Sequence, residues 1–154
     1  MELYPWFVFA HLAGLVLFAI SHGASAFMAF RLRGAREPQT VAALLEVGQL
    51  SIGPMYIGLT LLIVGGLGAA WTANLWSQPW LIASIVVFAI VLVSMWAVAS
   101  PYYMGLRNTV SEGGPNASAD ALAAQLDSRR PEILATVGTI GLLVLVWLMV
   151  IKPG

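Results

Sequence analysis

The sequence predicts an all-α protein: a four-transmembrane-helix bundle with both termini outside and a short amphipathic helix on the inner surface. Three observations predict it. Of 154 residues, 60% are hydrophobic and 9% are charged, and the mean hydropathy is +0.88. An ordinary soluble domain carries about 25% charged residues, and so few charged side chains do not cover the surface of so short a chain. The apolar residues fall into four continuous runs, each close to the roughly 20 residues that cross hydrocarbon as a helix, and a β-barrel would show short alternating segments instead. Finally, the basic residues cluster in alternate connections. These features argue against a soluble enzyme and a disordered chain. A net charge of zero leaves no electrostatic footprint for nucleic acid. The absence of cysteine removes disulfides, thiolate metal sites and c-type haem attachment.

The first run covers residues 3–30 and has no Lys, Arg, Asp or Glu inside it. Ala24 and Ala26 are spaced like a signal-peptidase site, but Glu2 precedes the run and the arginines follow it, so a retained span is expected. Glu37 and Pro38 then open a helical stretch whose Val41, Leu44, Leu45 and Val47 lead into the second span, residues 50–73. Residues 74–78 make a tight turn, so the second span and the third, residues 79–103, are antiparallel neighbours. Gly113, Gly114 and Pro115 stop a helix, and Asn116 or Ser118 can cap the next one. That short helix, with Ala119, Leu122 and Leu126 at helical spacing, is expected to lie along the inner surface and end near Arg130. Pro131 and Glu132 suit the first turn of the fourth span, residues 133–151.

Arg31, Arg33 and Arg36 lie between the first two spans, and Arg107, Arg129 and Arg130 between the last two, against Lys152 alone on the opposite side. The positive-inside rule places these two connections in the cytoplasm. Trp6, Trp71, Trp76, Trp80 and Trp147 then fall near the outer interface and Tyr102 and Tyr103 near the inner one, as aromatic belts do. Gly14 and Gly23 in the first span, Gly58, Gly65, Gly66 and Gly68 in the second, and Gly138 and Gly141 in the fourth mark close helix approach. Pro54 and Pro101 each remove a backbone hydrogen bond and bend a helix. Their similar depth suggests a small cavity in the inner half, or its filling by Tyr56 and Tyr102.

His11 and His22 are the residues that carry chemistry. Eleven residues separate them, about 16.5 Å of helix and within about 20° of three full turns, so both lie on one face at different depths. An imidazole in hydrocarbon needs a partner. One reading is axial ligation of haem b, one site per leaflet, with Met55, Met95 or Met104 as a second donor and Met55 and Met104 best matched to His22. The same soft donors suit copper(I). The other reading is hydrogen bonding across the bundle, with Ser51 or Tyr56 for His22 and Thr60 or Thr72 for His11. Proton relay is a third, with Glu46 at the inner mouth of the second span.

The stretch HLAGLVLFAISHGASAFMAFRLR, followed by REPQTVAALLE, resembles a family of uncharacterised bacterial integral membrane proteins. That family is distantly similar to the copper-resistance D membrane proteins and to the haem-associated protoporphyrinogen oxidase. The resemblance rests on the two histidines of the first span, Ser21-His22-Gly23 and the arginine-rich exit. It implies a four-helix module of the bacterial inner membrane that holds haem or copper, with His11 and His22 as the residues carried over.

Two function classes lead. A redox or electron-transfer subunit would bind haem b through the histidines of the first span. A structural or assembly subunit would bind no cofactor and would pack its apolar faces against other membrane subunits or a second copy of itself. Copper or small-solute transport ranks behind both, because few polar groups line a path through several helices.

Overall fold

A computed structural model of the chain describes residues 2–113 and 119–154. Among these it is helical throughout: α1 (Tyr4–Gly34), α2 (Pro38–Leu50), α3 (Ile52–Thr72), a single 3-10 turn (Leu75–Ser77), α4 (Pro79–Gly113), α5 (Ala119–Leu126) and α6 (Arg130–Ile151). Four segments are long and apolar enough to cross a membrane: α1, α2 continued by α3, α4, and α5–α6 from Leu122 onward. Most of their side chains face outward. Phe9, Ile20, Val93, Trp96 and Leu143 are all exposed, a surface suited to hydrocarbon and not to water.

Each boundary has a local cause. Pro5 opens α1, and Arg31 and Arg33 occupy its last turn, where cations complement the helix dipole. The α2–α3 helix is interrupted for one residue at Ser51, one turn before Pro54 removes a backbone donor. Asn74 adopts the left-handed conformation at φ 53°, which a short polar side chain tolerates, and so turns the chain from α3 into the 3-10 turn. Lys152 ends α6 the same way, its N–H bonded to the Leu148 carbonyl, and Pro153 prevents continuation. Helix α4 runs ten residues past the expected end of its span, because the polar MGLRNTVSEG segment still forms helix where hydrocarbon has ended. The stop expected at Gly113 agrees with the end of α4; Gly114, Pro115, Asn116 and Ser118 lie outside the described residues.

The spans associate as two close pairs, α1 with α3 and α4 with α6, with much less contact between the pairs than within them. Glycine makes the first pair. A Cβ built on Gly58 would meet the Phe18 backbone nitrogen at 2.6 Å, and one on Gly14 would meet the Gly58 carbonyl oxygen at 2.7 Å. One on Gly65 would meet the Phe7 carbonyl oxygen at 2.8 Å. In lipid, where apolar burial drives little association, such backbone-to-backbone approach supplies the dispersion that holds helices together.

The pairs are joined at both ends. At the basic end a core of Leu32, Val41, Leu45, Tyr102, Leu106, Leu122 and Leu126 unites α1, α2, α4 and α5. At the opposite end Ala70, Trp80 and Leu81 pack with Leu75 and Met149. Three expectations change here. Helix α5 ends at Leu126, short of Arg130, and its apolar face is buried in protein rather than laid on the membrane surface; the same i, i+4 pattern serves either purpose. Trp80 keeps its place at the end of a span but is buried in protein, with the Lys152 ammonium 5.4 Å above its ring. Tyr102 is likewise part of the core, edge-on to Tyr103, while Tyr56 faces outward and fills no cavity.

Candidate functional site

His11 sits on the α1–α3 seam. Its ring lies over Gly66, where a Cβ would come within 2.9 Å of Nδ1, and Nδ1 is 2.7 Å from the Leu62 carbonyl oxygen. A carbonyl oxygen only accepts, so Nδ1 carries a proton, and in the neutral ring Nε2 is the bare nitrogen. Gly66 makes the bond possible: it stands one turn after Leu62, and a side chain there would cover the carbonyl.

The hydroxyls expected to serve the histidines are occupied within their own helices. Thr60 Oγ1 donates to the Tyr56 carbonyl at 2.9 Å, Thr72 Oγ1 to Gly68 at 2.9 Å and Ser51 Oγ to Gly48 at 2.7 Å. Serine and threonine in helices bond back to preceding carbonyls, and in lipid that bond has no competitor. Glu46 is exposed and makes no ion pair among the described residues.

His22 lies deeper toward the basic end and faces the other helix pair. Its ring is half-buried and stacks on Phe18, one turn earlier, with centroids 5.4 Å apart and planes 7° from parallel. Across from it is Gly138 of α6. A Cβ there would lie 3.6 Å from His22 Nε2, 3.6 Å from the Met95 methyl carbon and 3.8 Å from the Met95 sulfur. Imidazole nitrogen and thioether sulfur, from α1 and α4, therefore converge on the bare α-carbon of a third helix. Among the described residues neither ring nitrogen of His22 has a hydrogen-bond partner.

The methionine beside His22 is thus Met95. Met104 is 60% exposed and its sulfur takes a hydrogen bond from Ser100 Oγ at 3.7 Å. Met55 is half-buried near the start of α3. Sequence reasoning marked Gly138 and Gly141 alike as contact points, and which of them faces His22 is decided only when α6 docks. Gly141 instead faces Val91. Among the described residues no three His, Asp or Glu side chains form a metal cluster, so any ligand set here draws on nitrogen and thioether sulfur.

Four apolar spans, close glycine seams and outward apolar faces define a small multi-pass integral membrane protein. The chain belongs to a family described as predicted integral membrane protein (DUF2269), whose model matches residues 6–153. No curated protein and no solved structure matches the chain.

Proposed function

We propose that this protein is a redox or electron-transfer subunit of the bacterial cytoplasmic membrane in which His22 and Met95 would hold haem b. One observation carries the reading: a half-buried imidazole inside a span, without a hydrogen bond among the described residues, facing a thioether across a glycine. A polar side chain at membrane depth costs free energy unless something satisfies it. The donor chemistry fits the cofactor, for neutral imidazole and thioether are the axial pair of high-potential haem proteins. Haem, when bound, supplies one-electron exchange.

The chain's own residues supply position. Phe18 fixes the plane of the His22 ring by stacking, and Gly138 keeps the space before Nε2 and the sulfur free of a side chain. His11, with its Nδ1 proton committed to Leu62, presents Nε2 in the state a ligand needs, the arrangement metal-binding histidines use. It offers a second position in the other half of the bundle. The basic connections face the cytoplasm on this reading, and electrons pass to or from other membrane subunits or a second copy.

Copper(I) is the second reading, favoured by the same soft donors. An absorption spectrum and metal analysis of gently solubilised protein test both. The expected result is a Soret band that His22→Ala abolishes, that Met95→Ala shifts, and that Met104→Ala leaves alone. Stoichiometric copper without a Soret band supports the copper reading. Colourless, metal-free protein from cells supplied with haem and copper overturns both and leaves an assembly subunit.

A further inference from the structure

At the basic end, where α4 meets α5, the surface holds a cleft of about 230 Å³. Its walls include Pro101, Tyr102 and Gly105 of α4, Gln125 of α5, Ser128 beyond it, and Arg130 at the start of α6. This place is distinct from the histidines, and the residues that line it hold two buried polar atoms without a partner among the described residues and one exposed guanidinium.

Tyr102 is 4% exposed, and its hydroxyl has no hydrogen-bond partner among the described residues. Gln125 commits its amide nitrogen to Thr109 Oγ1 at 2.7 Å, and its Oε1 is buried without a partner among the described residues. A Cβ on Gly105 would sit 3.2 Å from that oxygen, so the glycine keeps the wall beside it open. Arg130 is exposed and makes no ion pair among the described residues, while the acids flanking it in sequence are engaged elsewhere, Asp127 with Arg36 and Glu132 with Arg33.

Orphaned buried polar groups are rare in folded chains, and each asks for an explanation. Here the explanation has a definite chemistry. Oε1 only accepts, so its partner must bring an O–H or N–H. The phenol donates or accepts. The guanidinium calls for an anion, and phosphate suits its planar fork. Alcohol and phosphate on one small molecule meet all three demands. The cleft also lies where the apolar run of α4 gives way to polar residues, the level of phospholipid headgroups.

We propose that this cleft binds a hydroxylated phosphate ester, the chemistry of a glycerol-phosphate headgroup. The test uses the full chain in a neutral detergent and three probes: phosphatidylglycerol, phosphatidylcholine and soluble glycerol phosphate. Phosphatidylcholine carries the phosphate but no O–H or N–H donor. Native mass spectrometry is expected to show phosphatidylglycerol retained about fivefold over phosphatidylcholine, the worth of one added hydrogen bond. Tyr102→Phe and Arg130→Gln should each lower that retention severalfold. Tyr102→Phe should also leave thermal unfolding of the delipidated protein unchanged or raised, because it deletes a group that has no partner among the described residues. Competition by soluble glycerol phosphate assigns the cleft to a water-soluble ester; its failure to compete assigns it to lipid. Equal retention of the two lipids, or wild-type retention by Tyr102→Phe, overturns the proposal.

Discussion

Gly14 and Gly23 both lie on α1 and carry opposite expectations. A Cβ at Gly14 runs into the backbone of α3, which has no flexible end to move aside, whereas one at Gly23 meets nothing within 4 Å. Gly14→Ala should therefore lower stability by about 1–3 kcal/mol, the usual cost of overpacking. Gly23→Ala should be neutral, and thermal unfolding in detergent followed by circular dichroism reads both. His11→Leu should cost about 0.6–1 kcal/mol in the same assay, since the Leu62 carbonyl keeps its helix bond when the imidazole is lost. Both histidines were legible in the sequence as the only ionisable side chains within the first span. Their partners were not. Met55, Met95 and Met104 sit on helices whose neighbours and rotations are set by docking, and hydropathy carries no information about either. The glycines were legible as contact points, but Gly66 as the residue that uncovers the Leu62 carbonyl was visible only once α1 lay across it.

Among elements, the connection from α5 to α6 is tied to the end of α1 in two unequal ways. Arg33 with Glu132 and Arg36 with Asp127 form exposed ion pairs, the second at 2.9 Å. Leu122 and Leu126 are buried in the core of the basic end. Exposed pairs contribute little and are screened by salt. Glu132→Gln and Asp127→Asn should each change stability by less than about 1 kcal/mol, and by less still at high salt. Leu126→Ala, which empties a fully buried site, should cost about 2–5 kcal/mol. A denaturation series at two salt concentrations separates the two kinds of tie. The spans themselves were plain in the sequence because a membrane demands long apolar runs. The ends of α4 and α5 were not, because past the hydrocarbon boundary a helix stops where capping and tertiary contacts decide.

For the whole molecule, the absence of native cysteine makes orientation directly measurable. With the basic connections inside, Ser77→Cys in the 3-10 turn should react with an impermeant maleimide on intact cells, and Glu112→Cys at the end of α4 only after permeabilisation. The opposite pattern inverts the topology. The arrangement of the two helix pairs has a consequence of its own. They are sewn together at the water-facing ends by the Leu32–Leu126 core and the Trp80 cluster, and make much less contact with each other than within themselves, with His22 facing from one pair to the other. Such a fabric is packed most densely at its two ends and least between the pairs. On the function proposed above, a guest for that histidine would dissolve in the bilayer first and slip in sideways between the pairs, a route that favours greasy, flat molecules over hydrated ions.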